Sequence, residues 1–177
     1  MFRRHGLCLN RVERTSIHGG SLRLSVSFRT YMDGSVRALL ASEREAGVHG
    51  IGYYRDFAER IDKLRVQLMQ LLRGLKKDGK RIAAYGAAAK ATTLLAYAGI
   101  DTDLIDYVVD LNAAKVGRYM AGNRLPIVSP ERLRDDPPDY LLILAWNFAE
   151  EIMQQQQAFR AGGGAFVVPI PQLHIVF

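Results

Sequence analysis

The chain has 177 residues, 49% of them apolar, which is enough for one domain with a core, or a domain plus an appendage, without covalent staples. A formal charge of +6 raises nucleic acid as a partner, but basic and acidic residues alternate along the longest helical stretch and no basic run interleaves with aromatics, so the excess reads as solvated faces plus a pocket for an anionic small molecule. The single cysteine, Cys8, excludes an internal disulfide framework, and the lack of a transmembrane-length apolar run or a signal-peptide core points to a cytoplasmic protein with no membrane partner.

In chain order, Phe2-Arg3-Arg4-His5-Gly6-Leu7 reads as a last helical turn stopped by Gly6. Leu7 to Glu13 follows as a strand, in which Cys8 reads as a small buried hydrophobe. Thr15 to Gly20 forms a loop. Leu22, Leu24, Val26 and Phe28 alternate with Arg23, Ser25 and Ser27, which predicts a half-buried strand. Two such strands with one apolar face do not stand alone in water, so the hairpin needs a larger sheet. Ser35 to Ala46 reads as a short helix with Val36, Leu39 and Leu40 inward, broken by Gly47, Gly50 and Gly52. A longer helix follows from Tyr54 to Leu75, with Tyr54, Phe57, Ala58, Ile61, Leu64, Leu68, Leu71, Leu72 and Leu75 on one stripe and Asp78-Gly79 as its stop.

From Lys80 onward strands and helices alternate. Strands are predicted at Arg81–Tyr85, Leu104–Val109, Ile127–Val128, Tyr140–Leu144 and, last, Phe166–Ile170. Helices are predicted at Ala88–Ala98, from Pro130 to Arg134 and over Phe148–Phe159. This order predicts an α/β fold, a Rossmann-like parallel sheet with helices on both faces, preceded by an antiparallel hairpin and a long helix. Such sheets bind ligands at the carboxyl ends of their strands.

Those ends carry the candidate residues. Tyr85-Gly86-Ala87-Ala88-Ala89-Lys90 joins a strand to a helix start, where free N–H groups and the helix dipole face a ligand and Lys90 adds charge. The stretch is neither G-x-G-x-x-G nor a P-loop, and a tight turn with no ligand is the other reading. Asp110, 24 residues after Gly86, suits a ribose acceptor or a loop cap. Lys115, Arg118 and Tyr119 can clamp phosphates from a glycine-containing loop, and Trp146-Asn147 offers a stacking face and an amide. His18, between a strand and two glycines, is the best general-base residue, histidine being the side chain suited to proton abstraction near neutrality. No H-E-x-x-H, C-x-x-C or other paired ligand spacing indicates a metal.

The ordered set His18-Gly19-Gly20-Ser21-Leu22-Arg23, Tyr85-Gly86-Ala87-Ala88-Ala89-Lys90, Asp106-Tyr107-Val108-Val109-Asp110, Lys115-Val116-Gly117-Arg118-Tyr119, Pro126-Ile127-Val128, Ala145-Trp146-Asn147 and Val168-Pro169-Ile170-Pro171 resembles the C-terminal part of S-adenosylmethionine (SAM)-dependent sugar C-methyltransferases. Those enzymes methylate C3 of nucleotide-linked keto-deoxysugars. They carry a zinc-binding domain, a central SAM-binding Rossmann domain and a C-terminal Rossmann-like domain. The resemblance implies that residues 1–32 are the last hairpin of the SAM domain, 33–79 linking helices and 80–177 the C-terminal domain. It implies that His18 removes the proton alpha to the keto group, giving an enolate whose carbon takes the SAM methyl group. Thr15 and Ile17 stand where the sugar enzymes favour tyrosine and glutamate, which opens a different acceptor. The zinc ligands and the acidic glycine-rich SAM loop are absent from this sequence, so SAM is expected in the intact enzyme and not on this chain alone. The expected partners are a nucleotide-linked sugar or similar anionic small molecule, and a SAM-domain subunit or second copy. A non-catalytic nucleotide-sugar module is the alternative; a nicotinamide-binding domain is a third reading, against which the missing G-x-G-x-x-G counts.

Overall fold

Alternating side chains at residues 8–15 and 21–27 fold as the two strands that the sequence predicts. The computed structural model describes all residues from Met1 to Phe177, and they group into two units, residues 1–60 and 61–177.

In the first unit a 3-10 turn, Phe2–His5, is closed by Gly6 at φ 68°. Strand β1 (Cys8–Thr15) then pairs antiparallel with β2 (Ser21–Ser27). The register slips between Leu9 and Arg11, a bulge at Asn10 that the sequence did not announce. The bulge turns Asn10 inward, to 8% exposure, and its amide nitrogen donates to the carbonyls of Arg29, at 3.1 Å, and Tyr31. Its own carbonyl accepts from the Asp33 N–H at 2.9 Å. One polar side chain thus fixes the path leaving β2. Asp33 caps helix α1 (Gly34–Glu45) through the Ser35 N–H at 2.9 Å, and Ser35 Oγ accepts from the Val12 N–H at 2.9 Å. Helix α1 lies against β1, with Val12 and Val36 buried.

No second layer of this unit covers β2. Leu22, Leu24, Val26 and Phe28, expected to be half-buried, are 45%, 43%, 37% and 79% exposed. Leu40, expected inward, is also exposed, and Leu39 is half-buried. Helix α2 (Ile51–Lys77) starts earlier than expected and includes Gly52. Its stripe is not uniform. Tyr54, Phe57 and Ala58 are exposed, Ile61 and Leu64 half-buried, and only Leu68, Met69 and Leu72 are buried. The helix ends at Gly79 (φ 75°), whose N–H donates to the Lys76 carbonyl while the Lys80 N–H reaches Leu75.

The second unit holds β3 (Ile82–Tyr85), α3 (Ala89–Ala98), β4 (Val108–Val109), β5 (Ile127–Val128), α4 (Arg132–Asp135), β6 (Tyr140–Ile143), α5 (Ala149–Gln155), α6 (Gln157–Ala161), β7 (Ala165–Val168) and β8 (His174–Val176). They form one sheet in the order β5-β4-β3-β6-β7-β8, parallel except for the antiparallel β8. Alternate strand residues divide between two cores. Ile82, Ala84, Leu142 and Val167 pack with α3 and the end of α2; Ala83, Tyr85, Leu141, Ile143 and Phe166 pack with α4, α5 and α6. Burial on both faces makes the strands continuously apolar, as a helix-covered parallel sheet requires.

Three elements differ from expectation. The strand predicted from Leu104 is only Val108–Val109 by ladder pattern, because Asp101 holds a turn: its side chain accepts from the Asp103 N–H and its carbonyl from Leu104 and Ile105. The helix predicted over Phe148–Phe159 breaks at Gln156, whose backbone leaves the helical region at φ −103°, ψ 31°. The last strand is β8, not the one predicted over Phe166–Ile170, which ends at Val168; the β-branched pair Ile175-Val176 was its signal. No helix is long and apolar enough to cross a membrane.

The basic run ending at Arg81 is paired rather than merely solvated. Arg81 grips Asp136 through two guanidinium nitrogens and reaches Asp106 at 3.3 Å, Lys76 meets Asp106 at 3.0 Å, and Lys80 meets Asp139 at 3.2 Å. These contacts tie the amino-terminal ends of β3 and β6 to the loop before β4. The Arg81 side chain holds the Asp136 carboxyl below its usual range, and the Arg81 backbone N–H does the same for Asp139. A carboxyl with a lowered folded pKa contributes stability that is present above its unfolded value, about 3.9, and is lost as pH falls through the folded value. Thermal melts should therefore show a midpoint falling below about pH 4, with a flatter acid limb for the Asp136→Asn/Asp139→Asn variant. Equal acid slopes in both proteins would contradict the assignment.

Candidate functional site

The order of the sheet puts its switch point at β3, from which the chain crosses first to β4 and later to β6. Ligand crevices of open α/β sheets lie there, outside the strands' carboxyl ends. At that end Gly86 adopts φ 101°, and its N–H donates to the Val109 carbonyl at 2.7 Å. A β-carbon at Gly86 would sit 2.7 Å from that of Ala145, so only glycine lets the turns after β3 and β6 close on each other. Ala88 then opens α3 with no side-chain cap, and its carbonyl accepts from the Ala91 N–H at 2.9 Å.

Asp110 is 9% exposed and both its oxygens are occupied. Oδ2 accepts from the Ala87 N–H at 2.7 Å and from Lys115 Nζ at 3.1 Å; Oδ1 accepts from the Asn112 N–H at 2.8 Å. Lys115 Nζ also donates to the Ala87 carbonyl at 2.8 Å. Lys90 projects from the first turn of α3, with Nζ 4.8 Å from the centre of the Trp146 ring and 5.7 Å from that of Phe148. Partial burial lowers its pKa. The Tyr85 hydroxyl accepts from Gln156 Nε2 at 3.4 Å, and burial raises its pKa. Asn147 lies in the 3-10 turn after β6, with its Oδ1 shut away from solvent and without a partner.

Two cavities open here. One of about 210 Å³ is lined by Tyr85, Gly86, Asp110, Ala145, Phe148 and Glu151. Another of about 500 Å³ is bordered by Trp146, Asn147, Phe148, Glu150, Pro171 and His174. Glu151 and Phe148 are lining residues that sequence reasoning missed, although Phe148 follows directly on the strand end Ala145-Trp146-Asn147 and Glu151 lies in the first turn of the helix predicted from it. Tyr85, Gly86, Lys90, Asp110, Lys115 and Asn147 are thus gathered at the carboxyl end of the sheet. Arg118 and Tyr119 are not. Their segment runs back along the outer edge of β5, with Gly117 N–H to the Ile127 carbonyl at 2.9 Å, Ile127 N–H to the Arg118 carbonyl at 2.8 Å, and Tyr119 opposite Pro126.

His18 belongs to the first unit, at the apex of the β1–β2 hairpin. It is exposed and held at φ 54°, ψ 33°, a left-handed conformation costing about 1 kcal/mol or more in a residue with a β-carbon. The turn is fixed by Gly19 N–H to Ser16, Gly20 N–H to Ile17, and Ser21 Oγ to the Ile17 carbonyl at 3.0 Å. Nothing in the alternation of the sequence revealed this conformation.

A model of the C-methyltransferase C-terminal domain family matches residues 16–171. The chain belongs to that family. The C-methyltransferase C-terminal domain so defined includes the His18 turn and every strand-end residue named above; β1 and β8 fall outside it. The chain is also similar to the C-methyltransferase NovU of Streptomyces niveus, at 38% identity over 180 aligned residues. That alignment covers 99% of this chain and 43% of NovU, so the chain spans less than half the length of this relative.

The strand-end carboxylate that the ribose of SAM would call on, Asp110, turns its oxygens to the Ala87 and Asn112 N–H groups and to Lys115. No group of three or more His, Cys, Asp or Glu side chains gathers in a metal-binding arrangement. The uncapped start of α3 beside Lys90 is instead suited to an anion. Because the two turns touch at Gly86, Gly86→Ala should cost about 2–4 kcal/mol, from backbone strain plus overpacking against Ala145. Urea denaturation measures this; a loss under about 0.5 kcal/mol would mean that the turns separate freely.

Proposed function

We propose that this chain is the C-terminal region of a SAM-dependent C-methyltransferase acting on a carbon of a nucleotide-linked keto-deoxysugar or related acceptor. The family match across residues 16–171, with the His18 turn inside it, carries this reading. The exposed, locally fixed imidazole of His18 takes the proton alpha to the acceptor's keto group. The C–H bond breaks, its electron pair moves toward the carbonyl oxygen, and the proton passes to the ring nitrogen. SAM, bound elsewhere in the intact enzyme, supplies the methyl group. Within the second unit, the uncapped α3 start and Lys90 make a place for a phosphate group, and Trp146 and Phe148 offer aromatic faces beside it.

The second reading is a nucleotide-sugar-binding module without methyl transfer on its own, and the uncapped α3 start beside Lys90 supports it as an anion site. The exposed apolar face of β2 supports a further partner, a SAM-binding subunit or a second copy. The protein works in the cytoplasm, with neither nucleic acid nor membrane as a partner.

Calorimetric titration of the chain with thymidine diphosphate and, separately, with SAM tests the proposal. Binding of the nucleotide and not of SAM is expected. SAM binding would overturn the division of labour, and binding of neither ligand would overturn the nucleotide site. With a SAM-binding partner supplied, His18→Gln should lower methyl transfer roughly 100-fold or more. An unchanged rate would remove His18 as the base.

A further inference from the structure

Lys115 is the second conspicuous cation at the carboxyl end of the sheet, and its surroundings differ from those of Lys90. Its ammonium lies 2.8 Å from the Ala87 carbonyl and 3.1 Å from Asp110 Oδ2. The same carboxylate oxygen accepts from the Ala87 N–H at 2.7 Å. Both backbone polar groups of Ala87 are therefore held by one ion pair, the N–H by the anion and the carbonyl by the cation. Ala87 stands between Gly86, whose N–H is fixed on Val109, and Ala88, the residue that opens α3.

The loop that carries the pair is itself prebuilt. Asp110 Oδ1 accepts from the Asn112 N–H at 2.8 Å, Asn112 Oδ1 accepts from the Ala114 N–H at 3.0 Å, and the Lys115 N–H closes on the Asn112 carbonyl at 2.8 Å. This chain of Asx turns returns Lys115 toward the buried carboxylate. Turning the ammonium outward to a ligand would leave a largely buried carboxylate without its counter-charge and the Ala87 carbonyl without its donor, and both losses oppose the movement.

We propose that Asp110 and Lys115 are positioning residues, acting on the Gly86–Lys90 turn rather than on the ligand, and that Lys90 is the cation that meets the ligand's phosphates. The proposal rests on the reading that this turn receives an anion. The pair fixes the peptide planes on either side of Ala87, and so the direction in which the first N–H groups of α3 point. The turn is then preorganised, and no ordering cost is left for the moment of binding.

The test measures thymidine diphosphate affinity across a range of salt concentrations for the unmodified chain, Lys115→Met, Lys115→Arg and Lys90→Met. Far-UV circular dichroism establishes that each variant is folded. The expected result for Lys115→Met is a dissociation constant raised about tenfold, with a salt slope flattened less than in Lys90→Met, because the lost group did not touch the phosphates. Lys115→Arg, which keeps donors for both acceptors, should return to within about threefold of the unmodified chain. Lys90→Met should weaken binding and flatten the salt slope. A slope flattened in Lys115→Met as far as in Lys90→Met, with no recovery of affinity in Lys115→Arg, would mean direct phosphate contact and would overturn the proposal, as would unchanged affinity. If the unmodified chain binds no thymidine diphosphate, the nucleotide reading fails and amide hydrogen exchange decides the positioning role. Faster exchange in Lys115→Met confined to residues 86–90 supports it, and identical exchange overturns it.

Discussion

The second unit depends on one close approach, between the turns that leave β3 and β6. Gly86 can sit against Ala145 only because it has no β-carbon and tolerates a positive φ. Its N–H also bonds to Val109 at the end of β4, so three strand ends meet at one residue. The position of α3, the direction of Lys90 and the shape of the small cavity all follow from that junction. Asp110 and Lys115 add a second constraint just beyond it, holding the peptide of Ala87 from both sides.

Charge is divided between the two ends of the sheet. At the amino-terminal ends Lys76, Lys80 and Arg81 are matched by Asp106, Asp136 and Asp139, and the pairs staple the edges of the strands. At the carboxyl ends Lys115 is matched by Asp110 while Lys90 is held over aromatic rings. Lys76, Lys80, Arg81 and Lys115 are therefore turned to neighbouring carboxylates. The nucleotide proposed above would meet Lys90, placed by a helix start that has no side-chain cap.

Most of the architecture was legible in the sequence because a parallel sheet covered on both faces leaves strong marks. Short apolar runs such as Ile82–Tyr85 and Tyr140–Ile143, separated by helical stretches, gave the α/β order. What was not legible depended on which layers are present to cover a face. The alternation of Leu22, Leu24 and Val26 predicts a buried side, but α1 covers β1 and leaves β2 open. The stripe of α2 likewise predicts a continuous seam, whereas Tyr54 and Phe57 are exposed and burial begins further along. At the site, the spacing of Asp110 from Gly86 left a ribose acceptor and a loop cap both open, and its oxygens accept from the Ala87 and Asn112 backbone and from Lys115. Arg118 and Tyr119 were grouped with Lys115 by proximity in sequence, and pairing along β5 carries them away. The bulge at Asn10 and the left-handed His18 are single-residue backbone events, on which hydrophobic periodicity has no purchase.

The central claim is that the Gly86 junction is where a nucleotide's phosphates bind. Backbone amide chemical shifts of the isotopically labelled chain, followed while thymidine diphosphate is added, test it residue by residue. The account predicts that the largest saturable shifts fall on Gly86 to Lys90 and on the turn from Ala145 to Phe148. Shifts centred instead on the cavity of about 440 Å³ bordered by Pro130, Arg134, Pro138 and Gly163, near the opposite ends of the strands, would contradict it.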